Sequence, residues 1–438
     1  MRLHHLHLQD FRGFASFDLD LHPELTLLVG RNGSGKTGVL RGLAVALGAW
    51  FGGMSNADVR GYDRTIKKRH ARITRVESGG LPTLEASYPV RVRAEGTVAG
   101  RRISWLRELG HPKGRTTHGD AKQLRELASS VEARLTEGHD PVALPVISYY
   151  AAGRLWVQKR DKSKDRLGSR LDGYSAALEV ASDPKLFEAW MEWRESDRIQ
   201  RIARASDAGQ NVSEVSSPHL EAVQEASRMC LEGARRFYYS ANYRELRVEF
   251  DDGTELPFDR LSDGQRSLVA TAADIAWRCA QLNPFLGRKA AQESEGVVLI
   301  DEVELHLHPA WQRRVLSDLR RAFPRIQFIA TTHSPQVIGA ARREWVRLLV
   351  PGESRAFPVG HVEGRDTNAI LLEVMGVRPR LERTQREIDE IERAIADGEV
   401  DAARQGLEHL RESIGDSDEA IRNLEWELHD LEVHGAHD

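Results

Sequence analysis

Cysteine is nearly absent from this chain. Cys230 and Cys279 are the only two among 438 residues, which leaves no framework of paired disulfides and no thiolate set for zinc. Long hydrophobic runs are missing as well: no stretch approaches the roughly 20 apolar residues that a membrane-crossing helix requires. Met1–Asp10 lacks the apolar core of a signal peptide, so the expected location is the cytoplasm. Neither sign of charge dominates, since 62 Lys and Arg face 66 Asp and Glu for a net charge of −4. Contact with nucleic acid would therefore have to use local basic patches rather than the whole surface. What the composition does supply is 40% hydrophobic and 29% charged residues, enough for a large core divided among two or three structural units.

The densest chemical signal is GRNGSGKT at Gly30–Thr37. Before it, Leu25–Val29 has the apolar, β-rich character of a buried strand; after it, Val39, Leu40, Leu43, Val45 and Leu47 mark a helix. Strand, glycine loop and helix are the context in which a P-loop works. Gly30, Gly33 and Gly35 let the chain curl so that successive N–H groups point at phosphates, at a helix N-terminus whose dipole favours negative charge. Lys36 would reach the β- and γ-phosphates, and the Thr37 hydroxyl would join a Mg²⁺ shell. The candidate contacts to ATP here are Gly30, Asn32, Gly33, Ser34, Gly35, Lys36, Thr37 and Gly38.

Three later segments complete the chemistry. Val297–Ile300 is an apolar strand ending in Asp301 and Glu302, the first suited to hold Mg²⁺ and the second to take a proton from attacking water. Phe328–Thr332 is another buried strand, ending in His333, which can sense the γ-phosphate. In LSDGQ, Leu261–Gln265, Ser262 and Gly264 precede a helical run, so a hydroxyl and free N–H groups form a second anion site. The order P-loop, LSDGQ, hhhhDE and strand-His resembles the ABC-type ATPases, and the RecF/SMC branch in particular. That resemblance implies an α/β P-loop fold with a mixed sheet, flanking helices, a helical lobe insert and here a small C-terminal helical unit. It also implies that Ser262, Gly264 and Gln265 of one copy cap the nucleotide on the P-loop of another, so that ATP is the glue of a homodimer. Arg12, in DFRGF, occupies the position where this branch carries an arginine close to the nucleotide.

The long interval between Thr37 and Leu261 exceeds what transporter ATPases of this type would lead one to expect, yet it lacks long heptad arrays. Strands are expected at Thr83–Arg93, Arg101–Leu109 and Leu144–Tyr150, with helices at Ala121–Leu135, Pro184–Ala203 and His219–Tyr239. A hairpin is expected at Tyr243–Phe258 with Asp252-Gly253 at its turn. The aromatics Phe187, Trp190 and Trp193 read as packing rather than as a stacking platform for bases. The expected division is 1–152 and 241–376 for the two parts of an ATPase head, 153–240 for the helical lobe, and 377–438 for a helical unit. Basic runs at Arg60–Arg75 and Arg154–Arg170 read either as phosphate-backbone contacts or as solvated loops. Gln158 is a poor match for the glutamine that the family places after Tyr150. His4, His5, His7, His306 and His308 form no ligand set for zinc; Glu304–Pro309 fits the segment that in this family crosses the dimer seam.

In the tail, Leu381, Ile388, Ile391 and Ile395, then Val400, Ala403, Leu407, Leu410 and Ile414, then Ile421, Leu424, Leu428 and Leu431 form three apolar stripes of helical period. They suit either a local cap or an interface for oligomerisation or a partner. The runs YYAAGRLW at Tyr149–Trp156, Leu305–Val337 and GRDTNAILLEVMGV at Gly364–Val377 resemble the compact ATPases of bacterial antiphage systems, the PtuA-like subunits of Septu and their retron-associated relatives. The resemblance implies an oligomeric sensor and regulator that holds a separate effector, in Septu an HNH nuclease. A RecF-like repair ATPase or an ATP-gated DNA clamp is the alternative.

Overall fold

The computed structural model describes residues 1–56, 59, 64–78, 81–138, 141–152, 169–178 and 184–434. They form two compact units, Met1–Arg365 and Asp366–Asp438. Among them no helix is long and apolar enough to cross a membrane.

The described residues of the first unit form four sheets, of which a four-stranded and a six-stranded one enclose the helix Lys36–Phe51. The N-terminal strands β1 (Arg2–Phe11) and β2 (Phe14–Asp20) pair antiparallel, and β1 also receives β6 (Val90–Val98), which carries β7 (Arg101–Leu109) on its other edge. Between them in sequence come β3 (Leu25–Val29), the helix α1 (Lys36–Phe51) and a separate hairpin of β4 (Ile73–Ser78) with β5 (Leu81–Ala86). The strand expected at Thr83–Arg93 is thus two strands, broken at Ser87–Pro89. Helix α2 (Lys122–Thr136) and strand β8 (Val146–Tyr150) follow.

The six-stranded sheet holds the chemistry. Its order is β15-β14-β3-β13-β12-β8, with β12 (Gly296–Ile300), β13 (Ile326–Thr331), β14 (Val346–Leu348) and β15 (Phe357–Pro358). All neighbours are parallel except the edge pair β14 and β15, so this is the mixed sheet expected from the motifs. Strands β3, β8, β12 and β13 are buried along their whole length, which is why their sequences are continuous apolar runs rather than alternating ones. Helix α1 is buried almost throughout because it packs against both sheets. Each of its large apolar side chains removed from water contributes about 1.5–3 kcal/mol, and the glycine loop is thereby mounted on a rigid support.

Helices α3 (Pro184–Asp207) and α4 (Pro218–Cys230) lie between the sheets' halves in sequence. The helix expected over His219–Tyr239 is corrected here. It stops at Cys230, and Ala234–Ser240 is a strand, β9, paired antiparallel with β10 (Glu245–Phe250), which pairs with β11 (Glu255–Pro257). Phe237 and Tyr239 point into the core while Arg235 stays exposed; two-residue alternation of aromatic side chains outweighs helical continuity there. The hairpin turn at Asp252-Gly253 is present. Helix α5 (Asp263–Leu282) then packs on α4 and β8.

The second unit contains α6 (Thr367–Glu373) and three longer helices, α7 (Glu382–Ala396), α8 (Val400–Ile414) and α9 (Glu419–His434). Ile388, Ile391, Ala403, Leu407, Leu410, Ile421, Leu424 and Leu428 form one shared core. The three stripes read from the sequence are therefore spent largely on one another.

Candidate functional site

The loops after β3, β12 and β13 meet at the carboxyl ends of parallel strands, where open α/β sheets place their ligands. The first of them ends at Gly35, whose φ of 97° is left-handed; an added Cβ would also lie 2.3 Å from Phe14 Cζ. Only glycine meets both demands. The turn delivers Lys36 and Thr37 as the first residues of α1. Lys36 Nζ donates to the carbonyls of Gly30 at 2.8 Å and Arg31 at 3.1 Å. Burial pulls the Lys36 ammonium down to about 8, against the opposing pull of Asp301, Glu304 and Glu302. A phosphate beside it would favour the charged form again.

Asp301 follows the last residue of β12 and is buried. Its carboxylate accepts from Thr37 Oγ1 at 3.2 and 3.0 Å and from Thr331 Oγ1 at 2.7 Å. Thr331, the last residue of β13, in turn accepts from the Glu302 N–H at 2.8 Å. One threonine thus ties together both carboxylate-bearing residues. Glu302 has a φ of 51°, an uncommon backbone for a non-glycine residue, and the Thr331 bond is one of the contacts that hold it there. The His333 N–H donates to Glu304 Oε1 at 2.5 Å. Burial, followed by the nearby Lys36, lowers the His333 pKa, which favours the neutral ring.

These groups surround a cleft of about 610 Å³. Of the residues singled out in the sequence, Arg12, Asn32, Gly33, Gly35, Lys36, Thr37, Gly38, Glu302 and His333 line it. Gly30 and Ser34 lie beneath the loop: an added Cβ on Gly30 would come 2.4 Å from Leu349 O and 2.8 Å from Ser34 Oγ, and that buried hydroxyl has no partner. Asp301 reaches the cleft through Thr37. The Thr37 hydroxyl and the Asp301 carboxylate are hard oxygen donors held at hydrogen-bond distance, a set that fits Mg²⁺.

Ser262, Gly264 and Gln265 are not brought to this cleft. Ser262 is the exposed N-cap of α5: its Oγ accepts from the Gln265 N–H at 3.3 Å, and Gln265 Oε1 accepts from the Ser262 N–H at 3.1 Å, a reciprocal capping box. An added Cβ on Gly264 would lie 2.4 Å from His306 O, so the start of α5 rests on the loop that follows Glu302. His308 caps the short helix Pro309–Gln312, accepting from the Ala310 N–H at 3.3 Å.

Sequence reasoning missed Phe14, Arg69, Ala71 and Ile73 in the cleft wall and the bridging Thr331. Phe14 stands in the same DFRGF run as Arg12, and Arg69 lies within the run Arg60–Arg75, read either as a nucleic-acid contact or as a solvated loop and not as part of the nucleotide cleft. Gln158 and residues 60–63 and 154–168 of the basic runs lie outside the described residues.

A glycine loop with its lysine and threonine, and two carboxylates at the end of a neighbouring parallel strand, define a P-loop ATPase fold of ABC type. The chain belongs to the family described as "AAA domain, putative AbiEii toxin, Type IV TA system", whose model matches residues 25–339. It is 24% identical to the "Retron Ec83 probable ATPase" of Escherichia coli over 98% of this chain and 86% of that protein. It is 22% identical to the "Retron Vc95 probable ATPase" of Vibrio cholerae, over 80% of this chain and 73% of that one. A shorter segment, 22% of this chain and 13% of the relative, is 41% identical to the Septu protein PtuA of Bacillus mycoides.

Proposed function

We propose that this chain binds and hydrolyses ATP at a site completed by a second copy, and that it is the sensor and regulator subunit of a bacterial antiphage complex. In this reading ATP-dependent dimerisation controls a separate nuclease effector of HNH type. The observation that carries the ATPase reading is the joint hold of Thr37 and Thr331 on Asp301 beside Glu302. The names of the retron and Septu relatives support the setting in defence.

Lys36 and the loop N–H groups bind the β- and γ-phosphates. Thr37 and Asp301 would hold Mg²⁺, which when bound neutralises phosphate charge and orients the γ-phosphate. Glu302 takes a proton from a water molecule whose oxygen bonds to the γ-phosphorus while the bond to the β,γ-bridging oxygen breaks and ADP leaves. His333 faces the same phosphate, and Arg12 lies at the cleft wall. The exposed N-terminus of α5, with Ser262, Gly264 and Gln265, serves the cleft of the other copy. ATP then adds a γ-phosphate that both faces hold, and hydrolysis removes it, so the dimer is a switch. The C-terminal unit is the surface for further oligomerisation or for the effector, and the basic runs are the candidate contacts for DNA.

The test mixes two inactive chains. Lys36→Ala disables the P-loop and Ser262→Arg blocks the cap, yet a heterodimer of the two retains one intact composite site. Steady-state ATPase activity should reappear on mixing. If subunit exchange is verified by fluorescence transfer and the mixture stays as inactive as either parent, hydrolysis in trans is wrong.

A further inference from the structure

Beside the nucleotide cleft, and sharing Arg12 and Arg69 with it, lies a second cavity of about 470 Å³. Its walls carry Arg12 from the turn between β1 and β2, Arg41 from α1, and Lys67, Arg69 and His70 from the segment that precedes β4. That segment is fixed rather than draped. The Arg12 N–H donates to His70 O at 2.7 Å, and the Arg72 N–H to Asp10 O at 2.9 Å. Thr116 Oγ1 accepts from the Ile66 N–H at 2.9 Å and donates to Ile66 O at 3.2 Å.

The charge in this cavity is of one sign. None of the described residues that line it is acidic, and Arg12, Arg41, Lys67 and Arg69 form no ion pair with a described carboxylate. His70, buried beside them, accepts from the Lys67 N–H at 3.3 Å through Nδ1. Its pKa is pushed down to about 4 by burial and then by Arg12, Arg69, Arg41 and Lys67. With Arg64, whose Nε donates to Leu178 O at 2.6 Å, five like charges line one space in a chain of net charge −4, and they repel one another unless an anion sits among them. Guanidinium forks match phosphate oxygens in geometry as well as in charge. Among the cations, Ala44 and Val45, one turn beyond Arg41 on α1, and Leu178 with the ring of Tyr149 add apolar surface to the lining, suited to a sugar or base attached to that phosphate.

We propose that this cavity is a second phosphate site, separate from the P-loop, and that it takes a terminal phosphate monoester on a nucleoside. Two sources share that chemistry: a free mononucleotide and the 5′-phosphorylated end of a nucleic-acid strand. The site is independent of Lys36 and Thr37, which do not line it, and it goes beyond the ATPase reading because it needs no hydrolysis.

The experiment uses the full chain carrying Lys36→Ala, so that the P-loop is disabled, and a short 3′-fluorescein DNA strand with either a 5′-phosphate or a 5′-hydroxyl. Fluorescence anisotropy should show the phosphorylated strand bound about 10- to 100-fold more tightly, the range expected when charge-assisted phosphate bonds are lost. Lys67→Glu or Arg41→Gln should abolish that preference. Lys67 is on the surface, so its substitution spares the core, which a thermal melt verifies. Competition by AMP identifies the source: displacement at matching affinity means a mononucleotide, and much weaker displacement means a strand end. The proposal is overturned if both strands bind alike, or if the preference survives both substitutions. It is equally overturned if the preference exists in the parent chain but vanishes with Lys36→Ala, since the phosphate would then be sitting on the P-loop.

Discussion

The Tyr150 hydroxyl donates to Asp274 Oδ2 at 2.5 Å, and both residues are buried. The relationship joins two parts of the proposed machine. Asp274 is on α5, the helix that begins with the LSDGQ segment, and Tyr150 ends β8, where its carbonyl accepts from the Asp301 N–H at 2.8 Å. Arg278 completes the knot, donating to Asp274 at 2.8 Å and to the carbonyls of Gly173 and Ser175. The first prediction follows from what each deletion leaves behind. Asp274→Ala strands the buried Arg278 charge and should destabilise the first unit by about 3–5 kcal/mol, measured by urea denaturation. Tyr150→Phe removes one hydrogen bond to a charged group and should cost about 1.5–3 kcal/mol. Equal losses for the two would mean that the ion pair does not depend on its partner.

Glu302→Gln keeps the shape of the residue and removes the base. ATP binding should survive and turnover should drop by about 10²–10⁴. Lys36→Ala should lose nucleotide affinity as well, because it deletes a charge that meets the phosphates in the ground state. Equilibrium binding of a fluorescent ATP analogue and a phosphate-release assay separate the two effects; a Glu302→Gln chain with undiminished turnover removes that residue from its role.

Thr331 should matter although it need not touch the nucleotide. Thr331→Val keeps the volume but breaks its bonds to Asp301 and to the Glu302 N–H, leaving a buried carboxylate with one partner fewer. Turnover should fall about tenfold or more while Thr331→Ser retains most of it, in line with losses seen when an outer-shell partner of a metal-ligating group is removed. If valine and serine behave alike in kcat, the hydroxyl is not positioning the carboxylates.

The contrast between Thr331 and the P-loop explains what was legible in the sequence. GRNGSGKT and the strand ending in Asp301-Glu302 are contiguous, and their chemistry depends on neighbours in sequence, so the pattern alone located both the residues and the strands that carry them. The role of Thr331 exists only because β13 lies beside β12, and nothing local distinguishes it from any threonine at a strand end. Arg69 escaped for the same reason: its segment reaches the cleft through the bridge of Phe11 with Ala71 and the bond from the Arg12 N–H to His70 O, partners far apart in sequence, whereas Phe14 was overlooked beside Arg12 although it pairs locally with Phe11. The misread helix over His219–Tyr239 had the opposite cause. A true helix as far as Cys230 carried its period onward by inertia, and the aromatic alternation of β9 is only seven residues long.

Lys36 gives a pH signature. Its folded pKa is lowered to about 8, and a bound triphosphate raises it, so ATP binding takes up a proton wherever the free protein has lost it. Below about pH 8 the free ammonium is already protonated and affinity should be flat; above it, affinity should fall by up to about tenfold per pH unit. Calorimetry in buffers of different ionisation enthalpy should register proton uptake only on the alkaline side. Because Glu302 is one of the groups holding that pKa up, Glu302→Gln should move the break to lower pH. A break that stays in place, or an affinity that rises with pH, contradicts this account of the lysine.

The C-terminal unit allows a test that keeps its own core apart from its surface. Leu410 is wholly buried in the core shared by α7, α8 and α9, so Leu410→Asp places an unpaired charge in an apolar site and should unfold those helices. Leu381 and Trp426 are 79% and 71% exposed, and their replacement by Ser should leave the helices intact, as read by circular dichroism. ATP binding should survive all three changes, since the P-loop, the carboxylates and the cap lie in the first unit. If the tail is the proposed contact for oligomer or effector, Leu410→Asp should abolish assembly in light scattering and in pull-downs with a candidate HNH nuclease, while the surface pair weakens it without loss of helix. An assembly that tolerates Leu410→Asp would leave the tail only the role of a local cap.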